Sequence, residues 1–261
     1  MTILDKIVDN KRIELETMKK EFPIEMLKES EYYTRKGFSM KQSLANSSTG
    51  IISEFKRKSP SKGFIKEGAI VTEITPGYEA AGASGISVLA DKDFFGGGSA
   101  DVKAARGVVK HTPILFKEFL FDEYQLHLAK ASGADVVLLI ASIMDVETCH
   151  RLASKAKELD LETLLELYEP EEVSHIHPTV DMVGINNRNL KTFEVDLAAS
   201  IKLCNSIPDD YLKVSESGIS DPETVKMLRK EGFRGFLMGE NFMKQPDPAK
   251  GLENFIAALN T

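Results

Sequence analysis

Eight short apolar runs, each separated from the next by a stretch of helical spacing, set the rhythm of this chain. They fall at 51–55, 85–90, 113–117, 136–140, 162–167, 182–186, 212–216 and 235–238. Several are near-continuous in Val, Ile, Leu and Phe, the pattern of strands buried on both faces. The helices between them carry terminal signals. Ser220-Asp221-Pro222-Glu223 reads as a capping box with proline in the first turn, and Glu169-Pro170-Glu171-Glu172 opens another helix. Gly133 and Gly232 stand where C-terminal caps belong. Alternation of strand and helix implies parallel strands, and eight units fit a closed (β/α)8 barrel, the TIM-barrel architecture. An open doubly wound sheet is the alternative. Before the first strand, helical periodicity through Ile3, Ile7, Ile13 and Met18 predicts an N-terminal extension over 1–48, within a single domain of 1–261.

Composition narrows the picture. A chain of 261 residues with 42% apolar content is long enough for one such barrel. No apolar run spans a bilayer, and the first residues open directly into a charged amphipathic pattern without a leader, so a cytoplasmic protein that does not enter a membrane is expected. The net charge of −7 argues against a nucleic-acid surface, although a pocket on an acidic protein can still be locally basic. Cys149 and Cys204 lie on apolar helical stripes and read as core residues in a reducing compartment.

In such barrels chemistry sits at the carboxyl ends of the strands. Those ends are unusually polar here. Strand one ends at Glu54 and Lys56, strand three at Lys117 and Glu118, and strand five at Glu166. Strand six ends at Asn186, Asn187 and Arg188, strand seven at Ser215-Glu216-Ser217-Gly218, and strand eight at Gly239-Glu240-Asn241. Glu54 and Lys56, two residues apart on a strand, share a side. A structural ring of ion pairs would explain one such end. Convergence of many is the composition of an acid/base active site. Ser217-Gly218 and Gly239-Glu240, each followed by helix, offer backbone N–H groups to a phosphate, with Lys56 within reach as a point charge.

Motifs spread along the whole chain resemble those of indole-3-glycerol phosphate synthases. They are Ile51-x-x-Glu54-x-Lys56-x-x-Ser59-Pro60-Ser61, Gly184-Ile185-Asn186-Asn187-Arg188-Asn189-Leu190 and Glu216-Ser217-Gly218-Ile219, with Ile3-Leu4-x-Lys6-Ile7 at the amino end and Lys117 closing strand three. The resemblance implies closure of an indole ring on 1-(o-carboxyphenylamino)-1-deoxyribulose 5-phosphate with loss of carbon dioxide and water, in tryptophan biosynthesis. It implies no metal, no organic cofactor and no obligate protein partner. By match, Lys117 protonates the ketone, and Glu54, Lys56 and Glu166 share the later acid and base steps. Ser59, Asn186 and Arg188 surround the anthranilate carboxylate, and Glu216 holds the ribulose hydroxyls. Ser217, Gly218, Gly239, Glu240 and Lys56 take the phosphate. Phe95, Phe119, Leu138 and Leu190 form an apolar wall for the aryl ring, with plain core packing as the other reading of Leu138.

Two features depart from the family pattern. The loop Phe94-Phe95-Gly96-Gly97-Gly98-Ser99 is richer in glycine and lacks dinucleotide-fingerprint spacing, so a mobile flap over the aryl end is expected. Glu240 puts a carboxylate where a phosphate should sit, which requires its backbone N–H to bind while the side chain turns away. His175 and His177 have no further ligand at zinc-site spacing. Among rivals, a phosphoribosylanthranilate isomerase would carry a cysteine on strand one, where this chain has Glu54 and Lys56. A non-catalytic scaffold subunit would have lost the acid/base positions, and none is lost here.

Overall fold

The computed structural model describes residues 2–189 and 192–261. Its centre is a closed barrel of eight parallel strands: β1 (Ile51–Phe55), β2 (Gly85–Leu89), β3 (Ile114–Lys117), β4 (Val136–Ile140), β5 (Glu162–Leu167), β6 (Met182–Asn186), β7 (Leu212–Glu216) and β8 (Phe233–Met238). Each strand pairs with its sequence neighbours, and β8 returns to β1 through Ile51↔Phe236 and Ser53↔Met238.

Side-chain alternation splits most of the strands between two apolar layers. Ile52, Leu115, Val136, Leu138, Ile140, Leu164, Met182, Val214 and Leu237 fill the barrel interior. Their neighbours Ile51, Phe116, Val137, Leu139, Leu165, Val183 and Phe236 pack outward against the helices. This period of two also aims the site. Glu54 lies two residues beyond Ile52, Lys117 two beyond Leu115, Glu166 two beyond Leu164 and Glu216 two beyond Val214. All therefore leave the barrel on its interior side, at the carboxyl end.

Three helices precede the barrel: α1 (Ile3–Glu21), α2 (Ile24–Lys28) and α3 (Met40–Asn46). Thr2 and Asp5 form a capping box that starts α1. The helix buries Ile7, Lys11 and Leu15, whereas Ile13 is 73% exposed. The expected stripe through Ile13 is thus misplaced, because at 100° per residue Ile13 points away from Ile7 and Leu15. Helix α3 closes the amino-terminal end of the barrel by sending Met40 and Leu44 into the interior layer. Gly85 and Gly235 make that possible, since a Cβ on either would stand 2.6 Å from Met40 Cε or 3.1 Å from Leu44 Cδ1.

The outer helices are α4 (Val71–Ala80), α5 (Ser99–Val108), α6 (Glu123–Ala131), α7 (Val146–Glu158), α8 (Leu197–Cys204), α9 (Pro222–Lys230) and α11 (Pro248–Leu259), with a one-turn α10 (Glu240–Met243) after β8. Gly133 and Gly232 adopt φ of 82° and 99°, as helix-ending glycines should. The helix expected from Glu169 is a 3₁₀ segment, Pro170–His175, in which six residues carry the chain over the barrel rim. The cap of α9 is Asp221, accepting from Thr224 N, one residue later than Ser220-x-x-Glu223 suggests. Cys149 and Cys204 are buried and free, and burial pushes the Cys149 thiol up to about 12.

Candidate active site

The carboxyl end of the barrel opens into a cavity of about 340 Å³. Every described residue expected at the site lines it: Glu54, Lys56, Ser59, Phe95, Lys117, Phe119, Leu138, Glu166, Asn186, Arg188, Glu216, Ser217, Gly218, Gly239 and Glu240. Leu190 lies outside the described residues.

Lys117 is the hub. Its side chain is 15% exposed, and Nζ lies 3.0 Å from Glu166 Oε2 and 2.9 Å from Glu216 Oε2. Burial works against its charge, but Glu166, Glu216 and Glu54 together hold it protonated well above the ordinary lysine range. The two carboxylates divide one cation unequally. Both are buried, which favours the neutral acid. Lys117 and the Asn186 Nδ2 donor at 3.0 Å nevertheless keep Glu166 ionised below the usual carboxylate value. Glu216 goes the other way: burial and the neighbouring Glu166 charge raise it, and its Oε1 has no hydrogen-bond partner among the described residues. The site therefore places an ionised acceptor, a fixed cation and a carboxyl prone to hold a proton side by side.

On β1, Lys56 Nζ pairs with Glu54 Oε1 at 2.7 Å, as the two-residue spacing implies, and Ser87 Oγ approaches Glu54 Oε2 at 3.4 Å. Arg57 points the opposite way, into a two-pronged pair with Asp101. Glycines make room for these acids, a role that spacing alone did not reveal. A Cβ on Gly239 would come 2.7 Å from Glu54 Oε1, and one on Gly184 would overlap Glu216 Oε1.

The phosphate-type loops lie together on one flank. Ser217 and Gly218 take consecutive left-handed conformations, φ 68° and 73°, which a non-glycine residue adopts only when its surroundings enforce it. Asn187 supplies that enforcement by donating to Ser217 O at 2.7 Å and to Ser215 Oγ at 3.0 Å. Gly239 caps α10 and its carbonyl accepts from the Phe242 and Met243 amides, so those of Glu240 and Asn241, which precede the first intrahelical bond, are the ones turned outward. Lys244, unremarked in the sequence, joins this flank. On the opposite flank Phe95 and Phe119 lie with ring centroids 6.0 Å apart. Ile3, Leu4 and Ile7 of α1 also line the cavity. Arg188 reaches over the mouth and donates to Phe193 O at 3.0 Å.

Two readings change. The loop expected to be a flap is tied on both sides. Asp91 Oδ1 accepts from Phe94 N and Phe95 N, Gly97 N donates to Asp91 O, and Arg57 donates to Gly96 O. Gly97 serves close approach instead, since a Cβ there would overlap the Leu89 carbonyl, and Gly96 takes a left-handed φ of 68°. Glu118 turns away from Lys117 and pairs with Lys11 at 2.9 Å. His175 sits between the Glu172 and Met144 carbonyls, and the described residues contain no cluster that could hold a metal.

This geometry can be set beside known proteins. The family model for indole-3-glycerol phosphate synthase matches residues 4–255. The chain belongs to the indole-3-glycerol phosphate synthase family. Family membership makes it a carbon–carbon lyase of tryptophan biosynthesis. It is 52% identical over 257 residues to the indole-3-glycerol phosphate synthase of Bacteroides thetaiotaomicron, covering 98% of each chain. It is 40% identical to that of Salinibacter ruber, covering 98% of this chain and 96% of the relative. Among solved structures, 3-hexulose-6-phosphate synthase from Salmonella typhimurium superposes with a TM-score of 0.64 at 16% identity, covering 81% of this chain and 98% of that one. A tryptophan synthase α-subunit variant from Pyrococcus furiosus gives 0.59 at 18%, with the same coverage. These two share the barrel fold. No helix among the described residues is long and apolar enough to cross a membrane.

Proposed function

We propose that this cavity closes the indole ring of 1-(o-carboxyphenylamino)-1-deoxyribulose 5-phosphate, and that the residues above divide the work by flank. The observation that carries the assignment of roles is the position of Lys117. A lysine held protonated by three carboxylates stands between an aromatic flank and a flank of backbone amides.

The substrate lies across the mouth, its phosphate over Ser217, Gly218, Gly239 and the Glu240 amide, its aryl ring against Phe95, Phe119 and Leu138. Lys56 and Lys244 add positive charge at the phosphate end. Lys117 donates a proton to the ketone oxygen as the ring carbon bearing the carboxylate attacks the carbonyl carbon. Stabilising the developing alkoxide is worth most in a site already arranged for it. Ser59, Asn186 and Arg188 hold the aryl carboxylate until the carbon–carbon bond breaks and carbon dioxide leaves, its electron pair returning to the ring. The tertiary hydroxyl then departs as water. The Glu54–Lys56 pair supplies its proton, and ionised Glu166 takes the proton whose loss completes the indole. Glu216 accepts from the ribulose hydroxyls.

A steady-state assay tests this reading. The carboxyphenylamino-deoxyribulose phosphate should give indole fluorescence together with equimolar carbon dioxide, and phosphoribosylanthranilate should remain unchanged. Turnover no faster than the uncatalysed background would overturn it.

A further inference from the structure

We propose that Lys11 is a positioning residue that sets the aryl end of the site through two buried carboxylates, an inference that rests on Phe95 and Phe119 forming the aryl wall. Lys11 sits on α1, far in sequence from any strand end, yet it is 1% exposed. Its Nζ lies 3.1 Å from Asp91 Oδ2 and 2.9 Å from Glu118 Oε2, with Glu14 Oε2 closing the set at 2.6 Å. Both deep carboxylates are themselves buried.

What each carboxylate does with its other oxygen gives the cluster its meaning. Asp91 Oδ1 accepts from Phe94 N at 2.7 Å and Phe95 N at 3.2 Å. Glu118 Oε1 accepts from Phe119 N at 2.8 Å. One ammonium therefore holds two acids, and each acid holds the backbone of one aromatic wall residue. Asn10 adds a second tie from the same helix to the same loop, 2.8 Å to Asp93 Oδ2.

Docking α1 does not require this arrangement. Ile7 and Leu15 flank Lys11 on the buried stripe, and a leucine or methionine between them would bury α1 without desolvating a cation and two anions. A buried charged cluster of this kind is a weak source of stability but a strong source of geometry. The Lys11–Glu118 hydrogen bond and the carboxylate bonds to the Phe94, Phe95 and Phe119 amides fix direction as well as distance, and Asp91 Oδ2 is held to Lys11 as an ion pair. The geometry fixed here is the separation of two rings on loops after different strands, β2 and β3. Loops without such ties would let the rings drift, and misplacement of about 1 Å weakens whatever they grip.

The test compares two ligands of the full-length protein that share the ribitol phosphate and differ at C1: the reduced substrate analogue 1-(o-carboxyphenylamino)-1-deoxyribitol 5-phosphate, and ribitol 5-phosphate, which has a hydroxyl in place of the carboxyphenylamino group. Lys11→Met should weaken the aryl analogue by about tenfold, with KM rising in parallel, as expected from loss of part of an apolar contact. Ribitol 5-phosphate should bind within about twofold of wild type and kcat should stay within about threefold, because the phosphate loops lie apart from the cluster and Lys117, although next to Glu118 in the chain, is held by Glu166 and Glu216. Lys11→Met with Asp91→Asn and Glu118→Gln removes the unpaired charges, keeps both oxygen acceptors and serves if the single variant does not fold. It should show the same selective loss. Equal weakening of both ligands would reveal general damage and overturn the proposal. So would wild-type affinity for the aryl analogue in the triple variant, which would make Lys11 a mere counter-ion. If the wild-type protein bound the two ligands equally, the aryl-wall reading itself would fall, and the role of Lys11 with it.

Discussion

At the amino-terminal end of the barrel, Asp135 is 1% exposed and each of its oxygens is used twice. Phe38 N and Arg35 reach Oδ1, while Ile114 N and Arg106 reach Oδ2. Glu162, on the same end, accepts from Ser39 Oγ and from the Met40 and Lys41 amides. At the carboxyl end, Glu54, Glu166 and Glu216 are just as deep, but they share Lys56 and Lys117, and one oxygen of Glu216 has no hydrogen-bond partner among the described residues. The donors differ in kind. Backbone amides and guanidinium groups do not give up a proton at accessible pH, so the lower acids are locked. The lysine ammonium groups at the mouth line the cavity and can pass a proton to a bound substrate, so the upper acids form a set in which protons can move. Buried carboxylates at one end stabilise the fold, and at the other they remain available for chemistry.

The largest test of this contrast is Lys117→Met, which deletes the shared cation while keeping length and apolar volume. General acid catalysis and stabilisation of the alkoxide together predict a loss of at least about a thousandfold in kcat, with KM within about tenfold of wild type. Single-turnover kinetics alongside analogue binding separate the two. Retention of a tenth of the wild-type kcat would remove Lys117 from the acid role. At the other end, Asp135→Asn keeps shape but leaves Arg106 and Arg35 without their counter-charge. It should cost about 3 kcal/mol, or roughly 6–12 °C in Tm for a chain of this size. The kcat of the folded fraction, measured well below Tm, should not change. A comparable loss of turnover would show that the two ends are not separable.

Much of this contrast was legible in the sequence. Period-two alternation places Glu54, Lys117, Glu166 and Glu216 on the interior side of their strands as soon as Ile52, Leu115, Leu164 and Val214 are recognised as core. What stayed hidden depends on space and on partners distant in sequence. Gly184 reads as an ordinary strand glycine until Glu216 is seen to occupy the room its missing side chain leaves. The three glycines after Phe95 suggest mobility, because only the fold shows that Asp91 and Arg57 hold them. Lys11 did leave a signal: a charged residue four from Ile7 and four from Leu15 interrupts an apolar stripe. The stripe itself was misread through Ile13.

The smallest effect has the most informative sign. Glu79 carries the locked pattern outside the barrel. Burial pushes its pKa up, but the Lys110, His111 and Thr112 amides and the Thr112 hydroxyl more than offset that and hold it down to about 2. A carboxyl lowered on folding contributes stability that is present above its ordinary value near 4.5 and lost as pH falls through that value towards 2. Glu216 is raised on folding, so its contribution has the opposite sign. Once pH exceeds the ordinary carboxylate value, the unfolded chain ionises this group freely while the folded mouth resists, and the fold loses stability as pH climbs. Glu216→Gln removes that ionisation and keeps an oxygen for Lys117. It should therefore raise Tm at pH 8 by about 2–4 °C, the equivalent of about 1 kcal/mol, and change it little at pH 4.5, where the carboxyl is largely protonated when folded. The same substitution should impair turnover, since it removes the group assigned to the ribulose hydroxyls. Thermal unfolding at the two pH values checks the sign. A Tm that falls at pH 8 would mean that Glu216 is locked like Asp135, and that the two ends of the barrel treat their acids alike.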